Sequence, residues 1–215
     1  MIHNLSEQNS ILNHFIAEVR DTVIQKDSMR FRRNLERIGE ILGYELSKTL
    51  NYSKTKITTP LGTADSELID DQPVIATILR AGLPLHQGVL NYFDKAESSF
   101  VTAYRKHHKG GQLEIHVDYI ASSSIEDKTL IITDPMLATG QSMLAVYKAL
   151  QQMGSPKKIH LVIAIASQEA VDFVMAKMPR NTELWVGAID AELTAQSYIV
   201  PGLGDAGDLA YGEKK

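Results

Sequence analysis

The chain has 215 residues, 44% of them apolar and 22% charged, a formal net charge of -4 and no cysteine. That length suits one domain around a single core, and the missing thiols exclude disulfides, thiolate metal sites and a cysteine nucleophile. The negative charge argues against nucleic acid as a primary partner; with no basic-then-apolar leader and no apolar run long enough to span a bilayer, the chain is expected to be cytoplasmic and to have no membrane partner.

Residues 1–52 carry two helical patterns, roughly 7–25 and 28–50, the second opened by Asp27 or Ser28 as its N-cap. Lys26, Arg30, Arg32, Arg33 and Arg37 stand at helical spacing with Glu36 and Glu40, the pattern of a solvated or intersubunit helix face. Strand-like apolar runs follow at 74–79, 100–103, 130–133, 159–166 and 184–188, and helical patterns at 83–92, 142–153 and 168–178 separate most of them. This alternation predicts an α/β fold, a parallel β-sheet flanked by helices, with ligands beyond the carboxyl ends of the strands. Arg80, Arg105, Asp134 and Asp190 all follow predicted strands, which gathers them at that end. Over 105–124, Lys109-Gly-Gly-Gln112 precedes the alternating run Leu113–Ile120 and predicts a β-arm projecting from the sheet. Its basic tip, Lys106 to Lys109, reads as a solvated loop whose charge helps collect an anionic substrate. His14, His86, His116 and His160 lie in different elements and none is assigned a catalytic role. The whole of 1–215 is expected to form one domain.

Chemistry concentrates in two stretches. In Thr129-Leu-Ile-Ile-Thr-Asp-Pro-Met-Leu-Ala-Thr-Gly-Gln-Ser142 a buried strand runs into an acid and then a small, Gly-containing loop that opens an amphipathic helix. Free amides and the positive end of the helix dipole would then face an anion, while Asp134 could receive sugar hydroxyls; a phosphorylated sugar satisfies both. The loop is neither GxxxxGK[ST] nor GxGxxG, which disfavours a Walker-type nucleotidase and a dinucleotide-binding unit. Near the C-terminus, within 190–212, Tyr198-Ile-Val-Pro-Gly-Leu-Gly-Asp-Ala-Gly-Asp208 packs three glycines and two aspartates into eleven residues. Such density lets the backbone approach a ligand and read a flat heterocycle with its own N–H and C=O groups.

Together with Ile78-Leu-Arg-Ala-Gly-Leu83, Ala103-Tyr-Arg105 and Thr58-Thr-Pro-Leu-Gly-Thr63, these stretches make the chain resemble the uracil phosphoribosyltransferases over nearly its whole length. Asp134-Pro-Met-Leu-Ala-Thr-Gly140 resembles that family's loop for 5-phosphoribosyl-1-pyrophosphate (PRPP), and Pro201-Gly-Leu-Gly-Asp-Ala-Gly207 resembles its base-binding signature. Purine and orotate relatives carry two adjacent acids where Pro135 breaks the pair here. The resemblance implies a type I phosphoribosyltransferase-like fold and a pyrimidine-salvage reaction, uracil plus PRPP giving UMP and diphosphate.

What the resemblance implies for residues is specific. Ala138, Thr139, Gly140, Gln141 and Ser142 would hold the 5-phosphate and Pro135, Met136 and Leu137 would also bind PRPP, with Asp134 at the ribose hydroxyls and Arg80 and Arg105 on the departing diphosphate. Uracil would lie against Ile199 and be read by backbone at Gly204 and Ala206, with Asp205 contacting PRPP or the shell of a magnesium ion. Asp134, Arg105 and Asp205 are the expected catalytic residues. Mg2+ is the implied cofactor, held mainly by PRPP oxygens and water, and the implied assembly is a homodimer or larger homo-oligomer. A non-catalytic regulator that senses PRPP or UMP on the same fold is the alternative. Two residues depart from the family pattern: Gln141, where a second glycine is more usual, and Leu209, where a basic residue is.

Overall fold

The computed structural model describes residues 1–107 and 113–214, and their side chains except at 105–107 and 113–114. The N-terminal segment opens with strand β1 (Ile2–Asn4), helix α1 (Leu12–Arg20) and the long helix α2 (Ser28–Ser47). An antiparallel hairpin, β2 (Tyr52–Thr59) and β3 (Gly62–Ile69), precedes β4 (Val74–Leu79), α3 (Leu83–Leu90), β5 (Glu97–His107) and β6 (Leu113–Ala121). There follow β7 (Thr129–Leu137), α4 (Gln141–Leu150), β8 (Lys158–Ser167), α5 (Gln168–Lys177) and β9 (Thr182–Asp190). The short strands β10 (Glu192–Leu193) and β11 (Ile199–Val200) and helix α6 (Ala206–Tyr211) complete the order.

Seven strands form one sheet in the order β1-β9-β8-β7-β4-β5-β6, parallel throughout except for the antiparallel β5–β6 pair. The central strands β4 and β8 are almost wholly buried, which requires helices on both faces and explains their unbroken apolar runs. Alternate residues feed two cores. Ile159, Leu161 and Ile163 pack with α4 and α5, while Val162 and Ala164 pack with α1, α2, α3 and α6.

The first predicted helix, 7–25, is cut short at both ends. The Ser10 hydroxyl accepts the Leu12 amide at its start, and the Asp21 carboxylate accepts the Val23 and Ile24 amides just past its end. These side chains offer the backbone a turn instead of another helical bond. Helix α2 starts where expected, with Asp27 capping Met29 and Arg30. The β2–β3 hairpin went unpredicted, and nearly all of its residues are exposed. The predicted arm is the β5–β6 pair, joined across 105–107 and 113–115, and its tip at 109–112 lies outside the described residues. No helix among the described residues is long and apolar enough to cross a membrane.

Helices α2 and α3 cross at glycines: an added Cβ at Gly88 would overlap the Glu36 carbonyl, and one at Gly39 the Leu85 carbonyl. Because the obstruction is backbone, neither helix can yield by rotating a side chain. Gly88→Ala is expected to destabilise the fold by about 1–3 kcal/mol, which a thermal melt should record as a Tm lower by roughly 2–4 °C per kcal/mol. An unchanged Tm would show that the helices can separate freely.

Candidate active site

The site originates in a mismatch of strand lengths. Strand β7 pairs with β4 only as far as Thr77–Thr133, but continues beside β8 to Leu137–Ala166. Past Thr133, then, one edge of β7 is open. Met136 and Ala138 pack on the side of the sheet that carries α6, and Leu137 packs in the opposite core with Leu130 and Ile132, so the alternation of the strand slips once between Ile132 and Met136. Asp134 therefore belongs to the strand itself rather than following it, because β7 is longer than its apolar run.

Burial pushes the Asp134 carboxyl up to about 7, against the lowering effect of the Met136 amide that donates to it. After Leu137 the chain turns at Gly140 (φ +75°), which caps α4. A Cβ there would crowd Val174 and Phe173, and the left-handed conformation would strain any other residue. The first amides of α4 have no partner within the helix and point out of its N-terminus. A polar notch of about 60 Å³ lies in front of them, lined by Asp134, Met136 to Gly140, Ser142 and Met143. Ser167 fixes the loop from behind: its hydroxyl donates to the Ala138 carbonyl at 2.6 Å and accepts the Ala170 amide at the start of α5.

A cavity of about 480 Å³ continues from the notch. Its walls are Asp134, Pro135, Met136, Ala138 and Ser142 on one side; Gln196, Ser197, Tyr198, Gly204, Asp205, Ala206 and Gly207 on another; and Ala81, Ala103, Tyr104 and Lys214 around the rim. The phosphate-loop candidate and the glycine-rich C-terminal segment thus meet in one cleft. Gly204 has φ +95°, and Asp205 caps α6 by accepting the Asp208 amide at 2.9 Å while its side chain stays exposed.

Other expected residues sit differently. Ile199 does not face the cleft: it is 4% exposed and packs in the core, and its neighbour Tyr198 lines the cavity instead. Arg80 turns its guanidinium to the C-terminal helix, donating to the Gly212 carbonyl at 3.0 Å and lying 3.4 Å from Asp208. Arg105, in β5, pairs its backbone with Ile115 of β6, and its side chain and those of Lys106 to Lys109 lie outside what the structure describes. Asp190, at the end of β9, is bound by Arg20 and does not line the cavity. Gln141 is exposed and does not line the notch. Tyr104, Gln196, Ser197, Tyr198 and Ser167 were not foreseen; only the aromatic flanking Arg105 and the one opening the glycine-rich stretch gave any signal.

The family model for uracil phosphoribosyltransferase matches residues 6–213. A uracil phosphoribosyltransferase of Porphyromonas gingivalis is 56% identical over 214 residues, covering 100% of this chain and 99% of the relative. One from Pyrococcus furiosus is 37% identical over 210 residues, covering 96% and 88%. Among solved structures, the AQ2163 protein from Aquifex aeolicus superposes with a TM-score of 0.85 at 29% identity, covering 99% of this chain and 98% of that one.

The Asp134 carboxyl also sets a pH dependence of stability. Its value in the folded chain, about 7, lies above the ordinary 3.8. Between those two values the folded chain keeps a proton that the unfolded chain has released, so stability falls as pH rises through this window and levels off above it. Asp134→Asn removes the cost of ionisation. Melts without substrate should give the variant a Tm advantage over the unaltered chain that is larger at pH 8 than at pH 4. An equal difference at both values would show that the carboxyl is not desolvated.

Proposed function

The chain belongs to the uracil phosphoribosyltransferase family, whose reaction joins uracil to PRPP and releases diphosphate, and we propose how its own residues divide that work. The observation that carries the proposal is the junction in one cleft of the loop at 137–142 with the segment at 204–207. A sugar phosphate and a base must lie side by side for this transfer. The notch before α4 suits the 5-phosphate, with its amides and the Thr139 and Ser142 hydroxyls as donors. Asp134 then stands where the ribose follows. Its carboxylate accepts ribose hydroxyls and favours the positive charge that develops at C1 as diphosphate leaves, so the residue is needed in its ionised form.

The base fits the C-terminal wall, with uracil read by the backbone of Gly204 and Ala206 and covered by Tyr198 in the place first expected of Ile199. A base carrying an amino group would set donor against donor there and leave buried groups unpaired, which is the physical ground for rejecting cytosine. Arg80 and Arg105 remain the residues for diphosphate, Arg80 by exchanging its contact with Asp208 for the ligand. Asp134 and Asp205 supply two carboxylates to the same cleft, a set of oxygen donors that suits magnesium. When bound, that ion neutralises charge on the diphosphate while keeping most of its ligands from PRPP and water. A cytoplasmic location is part of the same reading. No relative described above supports the regulator alternative.

We further propose that the chain works as a homodimer or larger homo-oligomer. The β2–β3 hairpin exposes Ile57 and Leu68, and an isolated two-stranded hairpin is marginal in water. A second copy of the chain laid over it would supply the missing cover. Sedimentation at micromolar concentration should give at least twice the mass of 23.8 kDa, and a monomer would refute self-association.

The decisive assay follows magnesium- and PRPP-dependent consumption of uracil beside cytosine, hypoxanthine and orotate, in the unaltered chain and in Gly204→Val. Uracil alone should be consumed by the unaltered chain. The space at Gly204 is open, so the substitution acts through the backbone: valine at φ +95° is strained and the segment must shift. Uracil turnover should collapse while calorimetric binding of PRPP with magnesium survives. Persistent turnover in the variant would place base recognition elsewhere.

A further inference from the structure

Among the described residues Arg20 is not part of the cleft wall, yet it holds the two stretches that form the wall assigned to the base. Strand β9 ends at Asp190, and the chain then leaves as a loop carrying β10 and β11 before returning at Gly202. At the neck of this loop the Gly202 amide donates to Asp190 Oδ2 at 3.0 Å. Arg20, from the last turn of α1, donates through Nη1 to the same oxygen at 2.7 Å and to the Gly202 carbonyl at 3.0 Å, and through Nη2 to Asp190 Oδ1 at 2.8 Å. The guanidinium fork thereby spans both strands of the neck. The Asp190 side chain is 8% exposed and that of Arg20 20%, so water competes little with these bonds.

The position of the neck gives the clamp its consequence. Tyr198 lies within the loop it closes, and Gly204 and Ala206 begin two residues beyond it. A shift at Gly202 would move both. Residues 134–142 are anchored independently, through pairing with β8 and the Ser167 contact. We propose that Arg20 is a positioning residue for the nucleobase, acting through Asp190 and Gly202 to set the height and register of the base-reading backbone. The inference rests on the assignment of Gly204 and Ala206 to uracil. It requires arginine in particular, because an ammonium group cannot engage two carboxylate oxygens and a carbonyl in one plane.

A buried ion pair with no such role would affect stability and leave the two substrates equally served. The test is therefore a split between Michaelis constants, measured on full-length Arg20→Lys and Asp190→Asn with thermal melts in parallel. Displacing a recognition edge by about 1 Å should raise KM for uracil roughly ten- to hundredfold and change KM for PRPP by less than about twofold. Equal rises in both constants, or an unchanged KM for uracil in a folded variant, would overturn the proposal. If Arg20→Lys does not fold, Asp190→Asn, which preserves the shape of the side chain, carries the same measurement. Gly204→Val separates the two readings. Loss of uracil binding in that variant beside an unchanged Arg20→Lys refutes the clamp alone, whereas normal uracil binding in Gly204→Val refutes the base assignment and the clamp with it.

Discussion

The parting of β4 from β7 is the constraint on which the remaining structure depends. As far as Thr77 and Thr133 the two strands are paired and dry, and their threonine hydroxyls are spent on the backbone across the seam, Thr133 donating to the Ala76 carbonyl at 3.2 Å. Beyond that point β4 stays with β5 for two more residues, to Leu79, and then gives way to the turn into α3. This turn is packed so closely that a Cβ at Gly82 would overlap Thr77 and the Ile78 carbonyl. The strands cannot stay together through such a turn, so β7 continues with one edge unpaired. Backbone groups along that edge need partners from elsewhere, which makes the carboxyl end of β7 a natural place for a polar ligand.

The same opening explains why an acid can be half-buried, with its carboxyl desolvated, and still useful. Asp134 lies at the floor of the divergence, flanked by Pro135 and Met136, and desolvation raises its proton affinity. A residue chosen for stability alone would not be a carboxylic acid there. Hydroxyl donors or a cation in the cleft would offset the cost of ionisation, whereas a bare anion would add to it.

Hydropathy read the centre of the sheet well and its margins poorly. Strand β4 spans the predicted 74–79 because burial and backbone pairing end together there. In β7, β8 and β9 pairing runs on through Asp134, Ser167 and Asp190, polar residues that a pattern of burial cannot count as strand. The β2–β3 hairpin escaped for the converse reason: it buries neither face among the described residues, so no period of two is imprinted on it. In the candidate site, the loop at 138–142 was legible because a helix N-terminus and its glycine are local in sequence. The phase of the two-residue strand β11 was not, and it exchanges Ile199 for Tyr198 as the residue facing the cavity. Asp190 looked equivalent to Asp134 from its place after a strand, but its partner Arg20 is 170 residues away and no spacing announces it.

The two departures from the family pattern are absorbed by different means. Gln141 occupies the first position of α4, where a side chain projects away from the helix axis, and the notch before the helix is closed without it. A helix N-terminus offers an anion its backbone amides, and glutamine supplies one as well as glycine does. Leu209 lies on the inward side of α6, packed against the core shared by α1, α2 and α3. The ionic contact at this helix comes instead from Arg80 to Asp208, one residue earlier, while Arg32 donates to the Ala210 carbonyl from α2. Helix α6 is thus tied to the body of the protein from its outer side, which leaves the inner side free to be apolar.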